Sequence, residues 1–98
     1  MPDYVNIVGL VAWQVSQAAV STTAAQIASP ALAGRKTISI KALSGNSAPV
    51  YIGSTNGVTT ATGYELAAGD SIDMEIDNTN SIYVVAGSAQ RVCWAEVA

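Results

Sequence analysis

The stretch RKTISIKAL, residues 35–43, alternates between apolar and polar side chains and decides the fold class. Because successive side chains of a β-strand point to opposite faces, this alternation predicts a strand that is buried on one face only. The buried face is expected to hold Ile38, Ile40 and Ala42. The opposite face is expected to meet solvent or a partner chain, and it holds Thr37, Ser39 and Lys41.

Outward from this stretch, similar short patterns recur between groups of Gly, Pro, Asn and Ser. We predict further strands at residues 14–23, 50–52, 71–77, 81–86 and 91–97. Pro30 should end the element before it, since the residue that precedes a proline is pushed out of the helical region. Short strands with turns between them indicate an all-β protein. We therefore expect one domain over residues 1–98, a small antiparallel β-sandwich that is jelly-roll-like.

The N-terminal segment MPDYVNIVGLVAW, residues 1–13, is apolar and carries one acid, Asp3. It lacks the basic start of a secretory signal. Its apolar part, residues 5–13, is too short to span a bilayer, so no membrane partner is expected. We interpret the segment as a short first strand or as an arm, extending to residue 15, that docks on a neighbour. Synthesis in a cytoplasm is expected, because the segment lacks a secretory signal and the cysteine is free.

Charged residues make up 11% of the chain, against about a quarter in ordinary soluble domains. This shortage favours a surface that other chains cover, and hence a homo-oligomer. Lys and Arg number four in total, too few for a surface that follows phosphates, so nucleic acid is not an expected partner. The single cysteine, Cys93, forms no internal disulfide, and the absence of histidine removes its usual activator. Cys93 is expected to be a packing residue, and no enzyme activity is expected.

Acidic residues concentrate between positions 65 and 77. On one predicted strand face, Asp73, Glu75 and Asp77 are weak candidates for calcium ligands. Carboxylates in a row along a straight strand do not converge on one ion, so no metal site is expected. The alternative is an acidic strip, either in solvent or facing Arg35 and Lys41 on the polar side of the neighbouring stretch.

The loop STNGVTTATG, residues 54–63, resembles a phosphate-binding loop only in its glycines. It lacks the lysine of a P-loop, so no cofactor is expected. Asn56 and Gly57 instead predict a tight turn, because both residues tolerate a positive φ. Gly63 and Gly69 are expected to be required by the backbone. Candidate interface residues along the chain are Tyr4, Val5, Ile7, Leu10, Trp13, Arg35, Lys41 and Tyr64.

The order of several short motifs resembles a small β-sandwich module of tailed-bacteriophage virion proteins. The resemblance covers about residues 20–97. The motifs are VSTTAAQI (20–27), GRKTISI (34–40), PVYIG (49–53), GVTTATGYEL (57–66), AGDSI (68–72) and SIYVVA (81–86). It implies a structural protein without catalytic residues, such as a capsid decoration (cement) protein or another small head or tail component.

From this resemblance we expect a homo-oligomer, preferably a trimer, that lies on the capsid surface of a virion after synthesis in the bacterial host cytoplasm. It would bridge subunits of the major capsid protein. One alternative is a tail or head–tail connector component. Another, from a different class, is a carbohydrate- or calcium-binding module that uses Tyr51, Tyr64 and the acidic strip.

Overall fold

The computed structural model describes residues 12–98, and all regular structure within that range is β. The strands are β1 (Trp13–Val20), β2 (Ala25–Ile27), β3 (Thr37–Ala42), β4 (Val50–Gly53), β5 (Tyr64–Leu66), β6 (Ser71–Glu75), β7 (Ile82–Ala86) and β8 (Gln90–Val97). The predicted all-β class is confirmed. Across these residues, no helix is long and apolar enough to cross a membrane.

The strands form two four-stranded sheets, sheet 1 with the order β1-β8-β3-β6 and sheet 2 with the order β2-β7-β4-β5. The pairs β1·β8, β2·β7, β3·β6 and β4·β5 are all antiparallel. Together these pairs form one long two-stranded ribbon that ends in the β4–β5 hairpin. The ribbon folds over so that successive pairs belong alternately to sheet 1 and sheet 2. The pairs β3·β8 and β4·β7 join the turns of the wrap. This is the jelly-roll arrangement of two Greek keys.

The core lies between the two sheets and draws on both. From sheet 1 it takes the predicted inward face of residues 35–43, whose three apolar side chains are fully buried. Sheet 2 contributes residues of β4 and β7, among them Val50 and Val84. Ile72, Met74 and Ile76 of the segment after β5 are half-buried and pack against this cluster. Burial of these apolar faces is what holds the two sheets together.

Several strand boundaries differ from the predictions. The first strand runs over Trp13–Val20 rather than 14–23, because the Ser21 hydroxyl accepts a hydrogen bond from the Thr23 amide and starts a turn. Trp13 and Val15, which the predicted docking arm includes, lie in β1. Residues 1–11, which hold the rest of that arm, lie outside the described residues. Strand β5 was not predicted, and β2 lies within the motif at residues 20–27 that carries the resemblance but was not predicted from the alternation of side chains.

The loop between β4 and β5 contains the predicted turn, in which the Val58 amide donates to the Thr55 carbonyl at 3.2 Å. The expectation of a positive φ there is wrong for Gly57, since Gly34 and Gly69 are the glycines with positive φ in the described range. Gly69, with φ at 86°, confirms its predicted backbone role. Gly53 is needed for space, because a Cβ at this position would lie 2.5 Å from the Cβ of Val58.

We expect Gly53→Ala to destabilise the protein by about 1–3 kcal/mol, the usual cost of forcing an extra methyl group into a packed site. Val58 is buried and folds the loop back over the outer face of β4, so it cannot move away without becoming exposed itself. Urea denaturation measures the effect. Gly45→Ala is the matched control, since no described atom outside its chain neighbours lies within 4 Å of that Cβ. Equal stability of the two variants would contradict the packing explanation.

Candidate interaction surface

The two sides of the sandwich differ in charge. Strands β1 and β2 are joined by a short connection and form one side, which we call the β1/β2 side. Strands β5 and β6, also joined by a short connection, form the opposite β5/β6 side. No charged residue occurs between positions 12 and 34, so the β1/β2 side has none on its strands. The β5/β6 side carries Glu65, Asp73 and Glu75.

The outer face of sheet 1 follows from the register of its strands. Residues paired directly across an antiparallel ladder point to the same face. Val15 pairs with Ala95, Ala95 pairs with Ser39, and Ser39 pairs with Asp73, and none of the four is fully buried. This row crosses the whole sheet from an apolar edge to an acidic one. The outer surface of sheet 1 therefore changes from apolar at β1 to acidic at β6.

A shallow trough of about 410 Å³ runs over this outer face. Its lining includes the small side chains of Ser39, Cys93 and Ala95 and the larger side chains of Val15 and Lys41. Cys93 is half-buried here. It lies on the outer face and so packs outside the core, while its neighbour Trp94 packs against the core from the inner face. The sequence could not show which of the two faced inward.

The first half of β1 is the most apolar exposed part of the described chain. Trp13 is 72% exposed and Val15 is 64% exposed, and both point to the outer face. The residues between and just after them, up to Gln17, are exposed as well. Large apolar side chains that cluster on a surface mark sites of interaction with other molecules. Trp13 was among the predicted interface residues, whereas Val15 was not.

Arg35, predicted at the interface, lies instead in the interior with an exposed fraction of 2%. Its Nη1 donates to Glu96 Oε2 at 2.8 Å, and Glu96 is 0% exposed. Its other guanidinium nitrogens donate to the carbonyls of Ile76, Asp77 and Asn80. All three guanidinium nitrogens thus donate hydrogen bonds within the chain. The expectation that Arg35 faces the acidic strip is wrong, because a buried carboxylate on β8 takes it.

Glu96 has partners on both of its oxygens. Gln14 Nε2 donates to Oε1 at 2.7 Å, and the Leu32 amide donates to Oε2 at 3.1 Å. Together with Arg35, this network joins β1, β8 and two loops at one end of sheet 1. The sequence carried one signal for it: Glu96 falls on the same strand face as Val92 and Trp94, which point inward. An acid at such a position requires a buried partner.

The three weak metal candidates do not come together. Asp73 and Glu75 are exposed on the outer face of β6, but Asp77 follows the end of that strand. Hydrogen bonds from Thr79 and Asn80 hold the Asp77 carboxylate in a turn, and with the charge of Arg35 they lower its pKa, the Thr79 hydroxyl contributing most. Within residues 12–98 no group of three His, Cys, Asp or Glu side chains is placed to hold a metal ion.

The acidic strip meets mainly hydroxyl side chains. Strands β3 and β6 are neighbours, as the paired alternative required, but the register sets Thr37 opposite Glu75 and Ser39 opposite Asp73. Lys41 lies opposite Ser71, exposed on the outer face and diagonal to Asp73. A diagonal pair is within reach of a long side chain. Of the two predicted interface cations, Lys41 is exposed on the outer face of sheet 1, whereas Arg35 is buried.

The aromatic residues of the carbohydrate-binding alternative are also separated. Tyr51 pairs with Glu65, whereas Tyr64 pairs with the buried Ile52, so the two tyrosines point to opposite faces of sheet 2. Tyr64 is exposed at the β5/β6 side. Neither tyrosine shares a face with the acidic strip of sheet 1. The remaining interface candidates, Tyr4, Val5, Ile7 and Leu10, lie outside the described residues.

No protein-family model and no curated protein matches the sequence. Among solved structures, the chain is similar to one from Bacillus endospore appendages, described as a novel family of disulfide-linked pili. The TM-score is 0.46 at 16% sequence identity, over 97% of this chain and 96% of that chain. The jelly-roll topology given above rests on the strand pairing of this chain alone.

Proposed function

We propose that this protein is a structural component of a tailed-bacteriophage virion, a capsid decoration protein that binds the assembled head and bridges its subunits. The ordered motifs over residues 20–97 support the virion, and jelly rolls are a frequent architecture of viral capsid domains. Its partners are further copies of itself and the major capsid protein. It is made in the bacterial host cytoplasm and resides on the capsid surface.

The observation that carries this proposal is the uncharged β1/β2 side with its exposed Trp13 and Val15. The surface of a small solvated domain is usually about one quarter to one third charged. The centres of protein interfaces are depleted of charge and enriched in aromatic residues. The described chain offers such a surface, which favours a binding role in an assembly.

The stabilising effect would arise from mass action. A protein that binds the assembled shell and not its free subunits lowers the free energy of the shell, by an amount set by its concentration relative to the dissociation constant. No chemical step is required. Each copy needs only a stable frame and a surface that fits two neighbouring capsid subunits.

Deletion of the gene from the phage tests the proposal. We expect particles that assemble but lose infectivity on heating or dilution into low salt, and that regain resistance when the purified protein is added. Particles without the protein that keep full resistance would contradict a decoration role. Quantitative mass spectrometry of intact virions completes the test. A copy number comparable to that of the major capsid protein supports decoration, whereas a few copies indicate a tail or head–tail connector component.

A further inference from the structure

The open edge of β1 exposes a defined set of backbone groups. The Ala98 amide donates to the Ala12 carbonyl at 2.8 Å, which makes this a hydrogen-bonded pair of the β1·β8 ladder. Hydrogen-bonded and non-hydrogen-bonded pairs alternate along an antiparallel ladder. The even-numbered residues of β1 therefore bond to β8. The odd-numbered residues direct their N–H and C=O groups away from β8, and these are Trp13, Val15, Gln17 and Ala19.

These outward groups form a ready template for another strand. In the part of the chain that the structure describes, no strand pairs with this edge of β1. Proteins usually protect an open edge by keeping it short, charged or interrupted by proline. The β1 sequence WQVSQAAV has eight residues, no charge and no proline. The other edge strand of sheet 1, β6, carries two acids. The edge strands of sheet 2, β2 and β5, are each only three residues long.

We propose that a second copy of this chain adds to the open edge, with the β1 strands of the two copies pairing antiparallel about a two-fold axis. Sheet 1 then continues across the boundary as an eight-stranded sheet. Both contributing edges are uncharged, so no like charges meet. A two-fold contact brings the same surface of each copy together, and antiparallel pairing is the one that a two-fold axis produces.

The side chains on the outer face of β1 favour a second copy of this chain as the partner at this edge. In a two-fold antiparallel pair, the exposed Trp13 and Val15 of each copy lie beside the other copy's β1 on the same face of the continuous sheet. The pairing gives both side chains cross-strand neighbours on this face, where a tryptophan can bury part of its large apolar area. A partner with a charged strand would instead leave its charge beside these apolar groups.

This pairing gives a dimer and not the trimer that we preferred from the sequence. A ring of three requires two different surfaces to meet. Within sheet 1 the other available edge is β6, whose Asp73 and Glu75 protect it against pairing. The dimer is a property of the purified protein, so its test does not depend on a virion role. In a virion the dimer would be the unit that docks, with Trp13 and Val15 at the boundary between the two copies and not against the capsid.

Light scattering coupled to size exclusion measures the mass of the full-length protein. We expect twice the chain mass of 10.0 kDa for the wild type and a single chain mass for Val15→Lys, which puts a charge on the shared edge. Tyr64→Lys is the matched control, another exposed apolar side chain changed to lysine, but on the β5/β6 side. It should remain a dimer. Far-UV circular dichroism verifies that each variant is folded.

Val15→Pro supplies a second variant, because its lost N–H points to the open edge and not to β8. It should also be monomeric. A wild-type monomer or trimer, or a dimer that survives both Val15 variants or is lost in Tyr64→Lys, would overturn the proposal.

Amide exchange followed by NMR gives a residue-level test of the same pairing. In the dimer, we expect slow exchange at the odd-numbered amides from Val15 to Ala19, since they are hydrogen-bonded across the boundary. In Val15→Lys, these amides should exchange at least tenfold faster, while the even-numbered amides bonded to β8 keep their protection. Protected odd-numbered amides in a monomeric wild type would instead assign the edge to this chain's own residues 1–11 and sink the two-fold pairing.

Discussion

Replacing Arg35 with alanine is expected to lower the free energy of unfolding by about 3–5 kcal/mol, the cost of leaving one charge of a buried pair without its partner. Glu96 is 0% exposed and keeps only the Gln14 and Leu32 donors in this variant. The carbonyls of Ile76, Asp77 and Asn80 lose their donor at the same time. Since small domains are stable by about 5–15 kcal/mol, this is a large share of the total.

Urea denaturation at neutral pH measures this effect, with Lys36→Ala as the matched control. Lys36 is the adjacent cation in the sequence and is exposed, so its removal should change stability by no more than about 0.5 kcal/mol. The double variant Arg35→Met/Glu96→Leu should be more stable than Arg35→Ala, because it leaves no buried charge unpaired. An Arg35→Ala protein as stable as Lys36→Ala would show that the pair does not hold this end of the sandwich.

The second large effect is expected from Ile40→Ala, at about 2–5 kcal/mol of lost stability. Ile40 is fully buried on β3, which pairs with β6 on one side and β8 on the other. Its side chain faces the core between the sheets. Truncation removes apolar contacts with both sheets and leaves a cavity that a rigid, interlocked sandwich cannot close.

Thermal and urea unfolding of Ile40→Ala should be compared with Ser39→Ala. Ser39 is the adjacent residue of the same strand, but it is exposed on the outer face of sheet 1. Its truncation should leave stability within about 0.5 kcal/mol of the wild type. If both variants lost the same stability, the assignment of inner and outer faces on β3 would be wrong.

Variants at buried and at exposed positions also separate effects on the stability of the fold from effects on its surface contacts. Ile40 and Arg35 are buried, so their replacement acts on assembly only through the stability of the fold. Val15 and Tyr64 are exposed, and their replacement acts on contacts with other molecules. A loss of dimer in Val15→Lys without a loss of stability would therefore belong to the surface. This difference makes the oligomer measurement interpretable in a domain of only 98 residues.

Long alternating strands were predictable, whereas short strands were not. Residues 37–42 contain enough period-two pattern to identify both the strand and its buried face. Strands β2 and β5 have three residues each, too few to show a period, and they exist because β7 and β4 offer them partners. The end of β6 was also missed, since Asp77 is drawn into a turn by hydrogen bonds to its own neighbours.

The candidate surface was predictable in its character but not in its place. The low charge of the chain predicts a covered surface, and Trp13, one of the predicted interface residues, is exposed in the structure. Arg35 was assigned to the same surface because its position in the sequence continues the polar face of residues 37–43. Its partner Glu96 lies 61 positions further along the chain, and no local pattern connects the two.

The sequence by itself determined which side chains of β3 turn inward, because the alternation of a β-strand is a local property with a period of two. It also determined that charge is absent between positions 12 and 34. Only the tertiary structure decided that β1 lies at the edge of sheet 1 within residues 12–98, and that the side chains of its odd-numbered residues point to the outer face. It also decided that Arg35 is buried against Glu96. These features depend on which strands pair and in which register, and that is settled by contacts between residues far apart in the chain.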